Sequence, residues 1–396
     1  MSTLKLLLLN HHAGRTGAPL VLLAFCEWLR VHRPTWEVHV LSMRPGPLVA
    51  EFAACASQVV VAPEREAGRR SRLHLLSRLG HIRLSREGFS LRTAEGSVGS
   101  LASEGYDVIY ANTALCVETA VAVKLASCNS PLVVAHIHEL ATMIGIHAPN
   151  LGQSLTRVDQ LIVASGLVKR ELAELFALDE ALVKVVYESS DRVGVGRLDA
   201  GLRHNQIVVG AVGYVHWRKG HDLFLQTARY LRLYRPDVRA RFLWLGKLDD
   251  KHRAVVDADI EKAGLSDVVN FVDEVDDPSD FYEQLDVLLL PSREDPFPLV
   301  AIEAGSRGIP VLCFSGATGT AEVLRGGGGV IVPYLDVRAL AEAVGAYWDD
   351  PDALCRDAAK AKEVFSAFTP ENQCPKLAQV VEEAVSRRGR RGVKRL

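Results

Sequence analysis

The chain has 396 residues, 48% of them hydrophobic, and a formal net charge of −2. That length exceeds one ordinary core and implies two domains of similar size, and the composition excludes a disordered chain. The near-neutral charge gives no global attraction to nucleic acid, so no nucleic-acid partner is expected. The seven cysteines are scattered and form no C-x-x-C pair, which predicts reduced thiols in a cytoplasmic protein and no zinc or disulfide framework.

In chain order, short apolar strands alternate with helical patterns, the signature of parallel α/β layers. Lys5-Leu-Leu-Leu-Leu9 is met at once by Asn10-His-His12. It reads as a first buried strand, too short in its apolar part for a signal peptide. No stretch approaches the ~18 apolar residues of a membrane span. A helix is expected over 19–31, and further strands at 38–41, 59–61, 108–110, 132–136 and 160–163. Residues 64–92 break the rhythm, with Arg65, Arg69, Arg70, Arg72, Arg78, Arg83, Arg86 and Arg92 around Leu75, Leu79 and Ile82 at helical spacing. The segment reads as a solvated helix with one buried face, or as a peripheral contact (residues 65–92) with the anionic inner face of a membrane.

The second half restarts the pattern, with strands expected at 207–212, 241–245, 268–271, 287–290, 311–314 and 330–332. Between the halves lies Ser189-Ser-Asp-Arg-Val-Gly-Val-Gly-Arg-Leu-Asp-Ala-Gly201, rich in glycine and charge, the expected linker. The domains are therefore placed at 1–190 and 204–370, with a helix over 371–386 returning to the first and an arginine-rich tail as a frayed end.

The most informative stretch is Pro291-Ser-Arg-Glu-Asp-Pro-Phe-Pro-Leu-Val-Ala-Ile-Glu303. It follows an apolar strand and leads into a helical pattern, so Asp295 and Glu303 fall at the carboxyl end of a strand and in the helix behind it. In an open α/β sheet that crevice holds nucleotide-like ligands. Pro296 and Pro298 offer no amide hydrogen, which leaves Phe297, Leu299 and Val300 as backbone donors, with Pro298 suited to the first helical position. Gly210-Ala-Val-Gly-Tyr-Val-His-Trp-Arg-Lys-Gly220 puts Arg218 and Lys219 near the N-terminus of a helix starting at about Asp222, a place for phosphate.

In the first half, Asn10-His-His-Ala-Gly-Arg-Thr-Gly-Ala-Pro-Leu20 is neither G-x-G-x-x-G nor a P-loop. No acid ends the second strand, which counts against an NAD enzyme. Val133-Val-Ala-His-Ile-His-Glu-Leu140 puts His136 and His138 on one face of a strand end. With no distant third ligand in view, no metal is expected there, and His136 reads as a buried structural histidine.

An acid, seven residues and a glutamate on a strand, loop and helix resemble the donor-sugar motif of retaining glycosyltransferases, in particular glycosyltransferase family four. The likeness covers nearly the whole chain and is strongest from 209 to 344. It implies an α/β GT-B fold, two Rossmann-like domains facing each other across a deep cleft whose closure excludes water. It also implies a hexosyltransferase that moves sugar from a UDP- or GDP-type nucleotide-diphosphate sugar to an acceptor hydroxyl, with retention and without metal or other cofactor. By this resemblance Glu303 holds the ribose hydroxyls, and Asp295, where the family usually has glutamate, contacts the donor sugar or its diphosphate. Lys219 and Arg218 stabilise the leaving diphosphate. Gly14, Gly17, Gly213, Phe297, Pro298, Leu299 and Val300 complete the donor site, as does Glu322 in the glycine-rich Ser315-Gly-Ala-Thr-Gly-Thr-Ala-Glu-Val323. His138 lies close to the reacting sugar, with Glu139, Arg15 and Thr16 on the acceptor side, and Ser165 resembles the family's serine ahead of a helix.

Tyr214 occupies the family's arginine position, and Arg218 is expected to supply the missing guanidinium. The implied acceptor is a glycan, a glycolipid or a small natural product. Two rival readings remain. One is a pseudo-glycosyltransferase that couples a nucleotide-linked cyclitol. The other is a nucleotide-sugar-binding partner without turnover.

Overall fold

The computed structural model describes residues 3–62, 98–194 and 205–393. The arginine-rich segment 64–92 and much of the expected linker lie outside them. Two parallel sheets organise the chain. The first holds β1 (Leu4–Asn10), β2 (Trp36–Ser42), β3 (Gln58–Val61), β4 (Val108–Asn112), β5 (Leu132–Ile137), β6 (Gln160–Val163) and β7 (Val183–Val185), in the order β3-β2-β1-β4-β5-β6-β7. The second holds β8 (Ile207–Val212), β9 (Ala240–Leu245), β10 (Val269–Val272), β11 (Val287–Leu290), β12 (Val311–Phe314) and β13 (Gly329–Val332), in the order β10-β9-β8-β11-β12-β13.

Both are Rossmann-like, and their central strands are continuous apolar runs because helices cover both faces. All twelve strands expected from the sequence are present. The strand that was not expected, β7, is only Val-Lys-Val, with Lys184 exposed at its centre. Three residues carry no readable alternation, and a lysine on an edge strand masks it further.

One compact unit comprises Met1–Val163, Glu171–Val186 and Cys374–Leu396; the other comprises Ala164–Arg170 and Tyr187–Gln373. The second unit claims two stretches that the sequence put in the first, because their side chains are anchored there. A Cβ on Gly319 would lie 2.3 Å from Ser165 Cβ, and the Gly166 amide donates to Glu322 at 3.0 Å. The Tyr187 ring packs 4.8 Å from Phe297 and 5.6 Å from Phe368. The last helix, Pro370–Val393, buries Cys374, Leu377, Ala378, Val381 and Ala384 in the core of the first unit, and Glu382 accepts from Arg33 Nε at 2.8 Å. Among the described residues no helix is long and apolar enough to cross a membrane.

In each sheet the strand order reverses beside the first strand, between β1 and β4 and again between β8 and β11. Loops leaving a reversal point diverge to opposite faces and open a crevice at the carboxyl ends of the strands. Behind the second crevice runs the helix Leu299–Ser306, buried along most of its length and packed against the helix Pro351–Phe365. Gly305 makes this packing close, since a Cβ there would meet the Phe365 ring at 2.1 Å. Gly305→Ala is therefore expected to destabilise the full chain by on the order of 2 kcal/mol, read as a lowered thermal midpoint. An unchanged midpoint would mean that the Phe365 ring moves aside without cost.

Candidate active site

The loops after β8 and β11 bring together the charged residues singled out in the second half. Gly213 ends β8 with φ +146, and its carbonyl accepts from Trp244 Nε1 at 2.8 Å. The chain then forms a tight turn, Trp217–Lys219, which His216 caps by accepting the Arg218 amide at 3.3 Å. Gly220 follows at φ +72, and a Cβ there would sit 2.0 Å from the Pro291 carbonyl oxygen. Glycine thus serves twice at this position: it adopts the left-handed conformation and lets the turn touch the loop after β11.

That contact seats Asp295, which is 4% exposed. Lys219 Nζ donates to its Oδ2 at 2.6 Å, Arg218 Nη1 to its Oδ1 at 3.1 Å, and Ser292 Oγ to Oδ2 at 3.0 Å. Burial by itself would raise the Asp295 carboxyl, but the Lys219 and Arg218 charges and the Lys219 and Ser292 hydrogen bonds outweigh it and hold it below its ordinary value. Burial chiefly, with the neighbouring Arg218 charge, lowers the Lys219 ammonium, while Asp295 opposes the shift. Two cations face one carboxylate, leaving one net positive charge. The Arg218 and Lys219 side chains are 27% and 15% exposed, so that charge reaches the crevice.

Glu303 is buried, with Oε1 accepting from Ser190 Oγ at 3.2 Å and Oε2 from Tyr282 at 2.7 Å. A carboxylate oxygen can accept more than one hydrogen bond, so both retain capacity for a ligand hydroxyl. The proline expectation is corrected by one place. Pro298 is extended, with φ −70 and ψ 135, and caps the helix that begins at Leu299. The Leu299 and Val300 amides then occupy the first turn, where helix geometry supplies no acceptor within the helix. Phe297 is buried, its ring 5.0 Å from Phe368, and anchors the loop. Glu322 Oε2 accepts the Gly166 amide at 3.0 Å and the Tyr187 hydroxyl at 2.8 Å, while its buried Oε1 makes no hydrogen bond and lies 3.9 Å from Arg170 Nη2.

The loops of the first unit are built differently. Asn10, Asn112 and His136 sit side by side across β1, β4 and β5, all buried. Asn112 Nδ2 donates to the Ala18 carbonyl at 2.9 Å, which turns its Oδ1 to His138 Nε2 at 2.8 Å. An amide oxygen only accepts, so His138 carries its proton on Nε2. Thr113, at φ 91, is in a strained conformation next to this pair. Glu139 serves as a cap: its Oε2 accepts the amides of Ala114 at 3.0 Å and His138 at 3.1 Å, at the start of the helix Ala114–Ala126.

His136 pairs through Nδ1 with Tyr110 at 2.8 Å, and burial keeps it neutral, with its pKa well below the ordinary value. Burial, then the neighbouring His12, lower His11 to about 3. The loop after β1 is held by His12, whose Nδ1 accepts the Gly14 amide at 2.8 Å and whose Nε2 lies 3.3 Å from Thr16 Oγ1. Gly14 therefore packs on the His12 ring, Gly17 opens the first helix with free space around it, and Arg15 pairs with Glu51.

The sequence did not single out Asn112, Ser190, Tyr187, Tyr282 or Arg293 as site residues. Their partners are distant in sequence, and no local spacing announces them.

The buried histidines give a pH prediction. A histidine whose folded pKa lies below the unfolded value of about 6.5 binds its proton in the unfolded chain first. Its contribution is fully present above that pH and falls by up to ~1.4 kcal/mol per pH unit below it. Stability should therefore decline from pH 7 towards pH 5, and His11→Asn should reduce the slope by about one proton, measured by denaturant unfolding across that range.

Residues 206–350 match the sequence profile of the family described as Glycosyl transferases group 1. The lipopolysaccharide core biosynthesis mannosyltransferase LpsB of Rhizobium meliloti is 31% identical over 189 residues, covering 46% of this chain and 53% of the relative. The D-inositol 3-phosphate glycosyltransferase of Thermobispora bispora is 28% identical over 243 residues, 58% of this chain and 57% of the relative. The chain thus spans about half the length of these relatives. Among solved structures, Anabaena HepE in complex with UDP and glucose superimposes with a TM-score of 0.74 at 18% identity, covering 96% of this chain and 99% of that one. Sucrose-phosphate synthase from Thermosynechococcus elongatus gives a TM-score of 0.76 at 18% identity, over 97% and 99% of the two chains. These likenesses assign the GT-B fold. Over residues 206–350 this chain is similar to the group 1 glycosyltransferase family, on a GT-B fold.

Proposed function

We propose that the protein is a retaining, metal-independent hexosyltransferase that uses a UDP- or GDP-type sugar and delivers the hexosyl group to a hydroxyl of a glycan or glycolipid. The observation that carries this reading is the Arg218–Lys219 pair on Asp295 at the point where the strand order reverses. Two fixed cations and the first turn of the helix at Leu299 are suited to a diphosphate, and Glu303 to the ribose. The relatives named for mannosyl and inositol phosphate glycosyl transfer support a sugar donor and a hydroxyl acceptor.

In the proposed step the bond from the sugar C1 to the diphosphate oxygen breaks and a bond from C1 to the acceptor oxygen forms on the same face. The acceptor proton passes to the departing diphosphate. Lys219 and Arg218 neutralise the charge that develops there. Asp295, already paired with both, is a weak base and a weak nucleophile, which favours front-side displacement over a covalent sugar–enzyme intermediate. In the first unit, His138, fixed as the Nε2–H tautomer by Asn112, serves the acceptor side. Arg218 takes the charge that an arginine at Tyr214 would supply.

Turnover of UDP- and GDP-hexoses against glycan and glycolipid acceptors tests the reading. Lys219→Ala is expected to lower kcat/KM on the order of 100-fold. Arg218→Ala should lose a comparable factor, and an unchanged rate there beside a crippled Lys219→Ala removes Arg218 from the diphosphate. Product from an α-linked donor should be α-linked by NMR, and inversion would refute retention. A chelator should leave turnover unchanged; its loss would restore a metal to the mechanism.

A further inference from the structure

Arg293 lies two residues before Asp295 but does not touch it. Its contacts instead straddle the Arg218–Lys219 turn. Its amide donates to the Arg218 carbonyl at 2.8 Å, and its Nη1 donates to the Trp217 carbonyl at 2.8 Å. The same guanidinium grips Asp222 on the far side of the turn with two parallel bonds, Nη1 to Oδ1 at 2.8 Å and Nη2 to Oδ2 at 2.7 Å. Its Cζ lies 5.3 Å from the centroid of the Trp217 ring, and its side chain is 13% exposed. Asp222 lies in the first turn of the helix His221–Tyr234; burial would raise its carboxyl, but the Arg293 hydrogen bonds and charge outweigh it and hold it below its ordinary value. Next door, Ser292 gives its hydroxyl to Asp295. Residues 292 and 293 therefore fix the acid and the two cations separately.

The physical need for such a brace is local. The turn contains Gly220 in the left-handed conformation, and glycine leaves a chain free to move unless something else restrains it. Two like charges on adjacent residues also repel, and Asp295 alone can hold them only by drawing them onto itself and away from a ligand. A planar fork that binds one carboxylate and one carbonyl on opposite sides sets the backbone of the turn without competing for Asp295. Lysine has no such fork and reaches one partner at a time.

We propose that Arg293, through Asp222 and the Trp217 and Arg218 carbonyls, is the positioning residue that presents Arg218 and Lys219 to the diphosphate of the donor, an inference that rests on the donor reading above. Its removal costs diphosphate affinity because the cations are no longer pre-aimed, although both are still present.

The test is the affinity of the full chain for UDP and for GDP by calorimetry, below the thermal midpoint of each variant, with Lys219→Ala as the control. Arg293→Gln and Asp222→Asn should each weaken the bound diphosphate by about tenfold, and the double variant should be no weaker than Arg293→Gln because the pair acts as one unit. Arg293→Lys should retain the parent midpoint and recover only part of the affinity, which a purely structural role would not produce. If Arg293→Gln and Arg293→Lys both bind within about twofold of the parent while Lys219→Ala has lost binding, this inference is overturned and the donor reading stands. If Arg293→Gln does not fold, Arg293→Lys decides by the same criterion. If Lys219→Ala binds like the parent, or the parent binds neither diphosphate, the donor reading fails and this inference with it.

Discussion

The ion triad of Arg218, Lys219 and Asp295 is the interaction on which the second unit is arranged. A carboxylate as buried as Asp295 would be driven to its neutral form without partners, and a lysine beside an arginine would lose its proton more readily. Together they stay charged, and the surplus is positive. The surrounding features keep that surplus in place. Gly220 lets the turn reach Pro291, Ser292 steadies the acid, and the parallel bridge between Asp295 and Thr318 ties the loop to the glycine-rich segment after β12. Phe297, wedged between Tyr187 and Phe368, holds the loop from below.

The first unit solves the opposite electrostatic problem. Its strand ends carry four histidines and two buried asparagines in place of charged pairs, and burial keeps His11, His12 and His136 on the neutral side. Neutral imidazoles and amides hold hydroxyl groups without drawing in counter-ions, whereas the cations of the second unit suit a phosphate. The two sheets thus place different polar groups at their carboxyl edges, neutral imidazoles and amides in the first and fixed cations in the second. Both edges lie at a reversal of strand order, so the same topology has been given two chemistries by side-chain choice.

Several residues named from the sequence have structural duties as well. Glu139 caps the helix after β4, and Glu322 holds Gly166 and Tyr187 with one oxygen while the other faces the Arg170 guanidinium at 3.9 Å. Arg15 is paired with Glu51. A carboxylate near a helix start has strong local partners available, and spacing in the sequence does not reveal which of them it takes.

The amino-acid sequence by itself determined the alternation of strand and helix, because buried parallel strands must be apolar and their boundaries are marked by glycine, proline and charge. It also determined that Arg218, Lys219 and Asp295 sit just past strand ends, since each follows an apolar run by a few residues, and that Glu303 falls in the helix behind. Tertiary structure decided what was non-local. The edge strand β7 was too short and too polar to announce itself, and the assignment of 164–170 and 187–190 to the second unit depends on contacts with Gly319, Glu322, Phe297 and Glu303. The same holds for the partners of the site: Asn112 for His138, Tyr282 for Glu303, and Asp222 for Arg293, 71 residues apart. Hydrogen bonds of that reach exist only after the sheets have formed, so no local pattern in the chain encodes them.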